Sequence, residues 1–226
     1  MKNLLSFLLA LVLCVGLAVP ALAEEAEAPD TPAFSDVPEG HYAYEAIAWC
    51  ASRGVAEGYA DGTFRPGETV SRGQFLLMLA QVFFPEETAS EEERQTADPW
   101  CRKEALVLAK AGALQGLGWK ESEVWPHNVY KELTRYEMAL LAYNLMAANF
   151  RSVSTSNQIA VQGQIADWDQ IPERYAVAVA GAFARGIVTG YAGGTFSGGE
   201  AVNSAQACVV IHRLVEFLGI AMAPAD

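Results

Sequence analysis

The chain has 226 residues, 52% apolar and 19% charged, with 15 Lys and Arg against 27 Asp and Glu and a formal net charge of −12. That length suits one or two ordinary domains, and the composition excludes a chain too polar to bury a core. The acidic balance argues against a general nucleic-acid binder, because a phosphate backbone calls for a basic face; it leaves room for a local anion site.

Met1-Lys2-Asn3 is a short basic start, and Leu4 to Val19 is almost wholly apolar. Pro20 breaks the run, and Ala21-Leu22-Ala23 offers a small-x-small cleavage site before Glu24. Residues 1–23 read as a secretory signal peptide. The alternative, a membrane anchor, is disfavoured because the run is short of the ~20 residues a spanning helix needs. Cleavage would leave 203 residues and, with Lys2 gone, a net charge of −13. No later apolar run has spanning length, so no membrane span is expected after cleavage. Residues 24–33 read as an acidic leader. Cleavage also leaves three cysteines, Cys50, Cys101 and Cys208, an odd number in which at least one thiol is unpaired. None has metal-site spacing. Buried thiols acting as small hydrophobes are the preferred reading over a disulfide.

The rest of the chain is repetitive. Phe34-Ser35-Asp36-Val37 opens one unit, Ala97-Asp98-Pro99-Trp100 a second and Ile165-Ala166-Asp167-Trp168 a third, with aspartates 62 and 69 residues apart. Later in each unit stand Val70-Ser71-Arg72-Gly73-Gln74, Leu133-Thr134-Arg135-Tyr136-Glu137 and Val202-Asn203-Ser204-Ala205-Gln206, spaced by 63 and 69. Gly58-Tyr59-Ala60-Asp61-Gly62-Thr63-Phe64 recurs as Gly190-Tyr191-Ala192-Gly193-Gly194-Thr195-Phe196, 132 residues on. Three landmarks with nearly one spacing define an internal repeat.

Each unit reads as helix, loop, helix. Ala43, Ala46, Ile47 and Cys50 share one face of a first helix. Gly54, Gly112 and Gly186 suit the left-handed position that ends such a helix. A turn-rich loop follows. Ser71, Thr134 and Asn203 are good N-caps, each followed three residues later by Gln74, Glu137 or Gln206, so each second helix starts with a capping box. Phe75, Leu76, Leu79, Val82 and Phe83 form an apolar stripe, as do Met138, Leu141, Ala142 and Leu145, and Val209, Val210 and Phe217 with Arg213 as a charged exception. Residues 86–96 are an acidic linker and 151–164 a Ser- and Gln-rich one; the acidic run has a second reading, the charged first turn of a helix. Residues 220–226 form a tail. A helix pair this small cannot bury its apolar face alone, so three pairs are expected to pack their second helices together in one α-helical body.

Arg72 and Arg135 follow their N-caps directly, where a cation opposes the helix dipole at a cost of roughly 0.3–1 kcal/mol. Capping gives no reason for arginine there. Two readings stand. The helix N-terminus and a guanidinium fork together form an anion site, or the arginine pairs with a nearby carboxylate.

The whole pattern resembles the S-layer homology (SLH) domain family, whose repeat runs roughly Phe-x-Asp-Val, an aromatic-Ala pair, a helix, Gly-Tyr-x-Asp-Gly-Thr-Phe-x-Pro, then Thr-Arg-Ala-Glu. Unit one supplies Phe34 to Val37, Tyr42-Ala43, Gly58 to Pro66, and Ser71 to Gln74. The resemblance extends from Phe34 to about Gly219. It divides the chain into repeat 1 (34–85), a divergent repeat 2 (97–150) and repeat 3 (165–219). It implies an all-α fold of three helix-loop-helix repeats packed as a pseudo-threefold, three-pronged bundle. It also implies an exported, non-catalytic protein of the bacterial cell wall, S-layer or cell surface. Such a protein attaches non-covalently to secondary cell-wall polysaccharide, pyruvylated or otherwise anionic, or to peptidoglycan-linked glycan, with other surface proteins as further partners. Carried over by motif, the glycan-binding residues are Asp36, Tyr42 and Arg72, then Asp98, Trp100 and Arg135, then Asp167 and Tyr175. No cofactor or metal is implied.

Departures from the pattern matter. Tyr42 and Tyr175 stand where the family usually has Trp. Repeat 2 lacks the Gly-Tyr-x-Asp-Gly-Thr-Phe loop, with Trp125-Pro126 offered in place of its anchor. Repeat 3 has Ser204 where arginine belongs and Gly193 where the loop aspartate belongs, so at most two grooves are expected to be competent. Two other classes compete. A surface structural or protein-binding scaffold with degenerate repeats would have no glycan affinity. An enzyme acting on wall glycan finds little support, because His41, His127 and His212 are widely separated and the repeats leave no room for a catalytic domain.

Overall fold

The computed structural model describes residues 34–119, 128–149 and 156–222. The expected signal peptide and leader, Trp125-Pro126 and residues 223–226 of the tail lie outside the described residues. Eight helices are described: α1 (Tyr44–Ala51), α2 (Arg72–Phe83), α3 (Glu91–Thr96), α4 (Arg102–Lys110), α5 (Arg135–Asn149), α6 (Ser156–Gln162), α7 (Glu173–Phe183) and α8 (Ser204–Leu218). Among the described residues there is no strand, only isolated bridges. The all-α expectation holds.

The local signals act as expected. Ser71 and Asn203 accept hydrogen bonds from the Gln74 and Gln206 amides, and those glutamines accept in return from the cap amides. Thr134 and Glu137 exchange the same pair of bonds. Gly54, Gly112 and Gly186 each have φ between 64° and 80°, the left-handed turn that lets the chain leave a first helix without a Cβ clash. Phe75, Leu76 and Leu79 are fully buried, each worth about 1.5–3 kcal/mol relative to exposure.

The packing partners differ from expectation. Each second helix lies chiefly against the first helix of the next unit: α2 on α4, α5 on α7, and α8 back on α1. Contacts among the second helices themselves, α5 with α8 and α2 with α8, are secondary. Exchange of first helices is favoured because each carries one apolar face, which meets a second helix buried almost all round.

At the centre the three extended segments before the second helices close a ring. The Val70 amide donates to the Val202 carbonyl, Val202 to Leu133, and Leu133 to Val70, at 2.8–2.9 Å. All three residues are buried. Outside that ring, each second helix gives its first two amides to the neighbouring unit. Arg72 and Gly73 donate to Lys131 and Val129, Arg135 and Tyr136 to Glu200 and Gly198, and Ser204 and Ala205 to Glu68 and Pro66. The middle unit therefore takes its place in the ring despite its divergent loop.

Both segments read as linkers contain helix. In the acidic run, Ser90 and Glu93 form a capping box at the head of α3. Arg94 donates to the Ala89 carbonyl and lies 3.8 Å from the fully buried Glu104, which accepts from the Ala89 amide at 3.0 Å. The glutamates of that run favour a helix start, where negative charge suits the dipole. In the second segment, α6 packs on α7 and buries Val161.

Candidate functional site

The two aspartates of repeats 1 and 3 have the same local task. Asp36 accepts from the Phe64 and Arg65 amides, both at 2.8 Å. Asp167 accepts from the Phe196 and Ser197 amides at 2.6 and 2.8 Å. Each carboxylate thus clamps the start of its unit to the far side of its loop. Burial raises the pKa of Asp36, but the amides of Phe64 and Arg65 outweigh it and hold the group below its ordinary value. Asp98 is exposed and has no hydrogen-bond partner among the described residues, which leave out 120–127.

The two arginines have different fates. Arg72 is consumed within the protein. Its Nε and Nη2 donate to Glu137 Oε2 and Oε1 at 3.1 and 2.5 Å, and its Nη1 donates to Asn128 Oδ1 at 2.9 Å. Trp119 donates to the same carboxylate at 3.3 Å, and its ring centroid lies 5.0 Å from the guanidinium carbon. Arg135 meets no carboxylate within ion-pair distance among the described residues. Its Nε donates to the Phe196 carbonyl at 2.9 Å and its Nη2 to the Thr189 carbonyl at 2.7 Å. The rings of Tyr191 and Phe196 lie 4.6 and 4.8 Å from its guanidinium carbon. Burial lowers its pKa from the usual guanidinium value.

The second helices offer no open N-terminus. Their first two amides serve the next unit and their third the capping side chain. The expectation that these termini present unpaired N–H groups to an anion is therefore corrected: only side chains are left for that work.

Arg135 forms part of the wall of a groove of about 730 Å³ shared by all three units. Repeat 1 supplies Tyr42, repeat 2 Arg135, and repeat 3 Tyr191, Gln206 and Arg213. Tyr42 is 68% exposed and offers an open ring face. Arg213 also has no carboxylate partner among the described residues. The groove therefore combines two cations, two phenol rings and neutral hydrogen-bonding groups, a set able to grip an anionic group and stack on a sugar ring.

The other expected aromatics are placed differently. Tyr175 is 4% exposed and stacked on Tyr136, with centroids 5.1 Å apart and planes 6° from parallel. Trp100 sits over Gly73, where a Cβ would come 3.1 Å from its ring, and lines a cleft with Ala97, Arg102 and Leu106. The site thus brings Tyr42 and Arg135 together. Sequence reasoning missed Tyr191, Arg213, Trp119 and the role of Glu137. The signal for Glu137 was present, since the matching positions hold Gln74 and Gln206.

Among the described residues, no three His, Cys, Asp or Glu are placed to hold a metal ion, and no helix is long and apolar enough to cross a membrane. Cys50, Cys101 and Cys208 are buried free thiols. Hydrogen bonding to Cys208 and burial push the Cys50 thiol well above its ordinary pKa, and burial with Glu104 pushes Cys101 up to about 12.

The S-layer homology domain model matches residues 33–76 and 164–208, the starts and second-helix heads of the first and third units. The outer membrane protein SlpA of Deinococcus radiodurans is 32% identical over 156 residues, 69% of this chain and 13% of that protein. S-layer protein EA1 of Bacillus anthracis is 28% identical over 114 residues, 50% of this chain and 13% of that protein. The amylopullulanase of Thermoanaerobacterium thermosulfurigenes is 27% identical over 191 residues, 82% of this chain and 10% of that protein. The chain belongs to the S-layer homology domain family. It spans about an eighth of the length of the first two of these relatives. Membership points to the cell surface and cell wall.

Proposed function

We propose that the protein is a non-catalytic wall anchor that binds an anionic cell-wall glycan through one groove, lined by Tyr42, Arg135, Tyr191 and Arg213. The observation carrying this reading is the contrast between the arginines. Arg72 is neutralised by Glu137, whereas Arg135 is fixed by two carbonyls and two rings and no carboxylate, beside a groove of about 730 Å³. A guanidinium so placed is pre-organised for a carboxylate such as a pyruvyl ketal. Tyr42 stacks on the apolar face of the adjacent pyranose. The acidic chain does not forbid this, since its field is screened beyond about 8 Å at physiological salt. The relatives' names agree with a surface role: two are an S-layer protein and an outer membrane protein. The match to an amylopullulanase fits a module that accompanies catalytic segments, since it involves a tenth of that enzyme.

The test is a pull-down with purified cell-wall sacculi, native and chemically stripped of secondary polysaccharide. Binding is expected to native sacculi only, and Arg135→Ala is expected to weaken it at least tenfold, about 1.4 kcal/mol. Arg135→Ala protein that remains folded and binds like the parent removes the groove assignment. Equal binding to stripped walls, or none to either, removes the glycan reading and leaves a surface scaffold.

A further inference from the structure

The ring makes three equivalent positions at the heads of the second helices, filled by Arg72, Arg135 and Ser204. Ser204 occupies its position as Arg135 does: its amide donates to Glu68 as that of Arg135 donates to Glu200. Its hydroxyl also donates to the Glu68 carbonyl, at 3.1 Å. In the Arg135 case the side chain reaches the carbonyls of Phe196 and Thr189 and the ring of Tyr191. The residues at those places in repeat 1 are Phe64, Glu57 and Tyr59.

A cleft of about 190 Å³ lies there, lined by Ser204 and by Glu57, Tyr59, Phe64, Val70 and Cys208 among others. Phe64, Val70 and Cys208 line it because the serine fills so little. No hydrogen bond reaches the carbonyl of Phe64 or of Glu57 among the described residues. No Lys, Arg or His lines the cleft, and Glu57 adds a carboxylate. At roughly 30 Å³ per water the space corresponds to about six waters, ample for a planar head and part of its stem. One rival occupant is Arg65, whose guanidinium carbon lies 3.8 Å from the Tyr59 centroid. It is held at 3.2 Å by Asp61, is half exposed, and does not line the cleft.

We propose that this cleft is a socket for an alkylguanidinium cation supplied from outside the chain. The head donates to the Phe64 and Glu57 carbonyls and stacks on Tyr59, in the manner of Arg135 in the next unit, and the Glu57 carboxylate offsets its charge. The same head is borne by a small guanidine and by an arginine side chain of a partner protein. This inference does not depend on the glycan reading, which concerns a different groove.

The test is calorimetric titration of the protein with ethylguanidinium chloride, sodium chloride at matched ionic strength serving as blank. A parallel titration uses a blocked tripeptide with a central arginine. Saturable one-to-one binding with a Kd of about 1 mM, −4.1 kcal/mol, is expected. Ser204→Arg places a guanidinium in the cleft from within, and is expected to abolish binding and raise the melting temperature. Ser204→Ala, which fills nothing, is expected to bind within twofold of the parent. Binding of both ligands assigns the socket to a polypeptide side chain, and binding of the small cation alone assigns it to a small guanidine. No saturable binding, or binding unchanged in folded Ser204→Arg protein, overturns the proposal.

Discussion

At the scale of residues, one position on the second helices decides which aromatic stays open. The second position of each of these helices holds Gly73, Tyr136 or Ala205. Tyr136 lies flat on Tyr175 and closes that surface, whereas Tyr42 keeps an open face. Tyr136 also dictates its neighbour. A Cβ on Gly198 would come within 2.0–2.4 Å of the Tyr136 ring, which the stack on Tyr175 keeps from moving aside. Gly198→Ala is therefore expected to destabilise by about 1–3 kcal/mol, as overpacking does, and the loss should shrink when Tyr136→Ala is added. Urea unfolding of the four proteins of that cycle measures the coupling; equal losses in both backgrounds would refute it. Arg72 offers a second contrast. With Glu137 buried, Arg72→Ala strands a carboxylate and is expected to cost about 3–5 kcal/mol of stability. Its effect on wall binding should be no larger than its effect on the folded fraction, read by circular dichroism on the pull-down sample.

At the scale of elements, the aspartate clamps make the loops sensitive to acid. Asp36 has its pKa held low in the folded state, so its contribution is complete above the unfolded value of about 3.9 and fades as pH falls through the lower folded value. Asp61 behaves alike: the hydroxyl and amide of Thr63 and the Arg65 guanidinium hold it near about 2. The parent should lose more stability between pH 5 and about 2 than Asp36→Asn, which lacks the titrating group. Urea midpoints of both across that range check this, and parallel curves would contradict it. Much at this scale was legible beforehand. Capping boxes, left-handed glycines and apolar stripes are local signals, and they were obeyed. What was not legible needs the third dimension. Nothing near Arg72 in sequence names Glu137, which lies 65 positions away. Helix α3 was legible only as the second reading of the acidic run, because its glutamates look like a solvated segment until Arg94 and Glu104 meet. The partner of each first helix was unreadable too, since an apolar stripe says that it must be covered and not by what.

At the scale of the molecule, no unit owns a complete set of contacts. Repeat 1 alone lacks α4 for α2, α8 for α1, and the Val202 and Leu133 partners of Val70. A fragment of residues 34–85 is expected to show no cooperative unfolding transition, and the whole protein to show a single one. Thermal circular dichroism tests both, and a fragment that melts cooperatively would refute the interdependence. The same closure orders events in time. Helices α2 and α4 begin 30 positions apart, but Cys50 lies 4.0 Å from the carbonyl of Cys208, 158 positions away. Loops cost more to close as they lengthen, and distant pairings slow folding. At eight residues, α1 is well below the length of about 12–15 at which a helix is even marginally stable alone. Pulsed hydrogen exchange during refolding should find its amides protected together with those of α8 and after those of α2; earlier protection would refute that order. Helix α1, the earliest of the described helices in chain order, is thus among the last of them to fold, and it waits for α8 to be made.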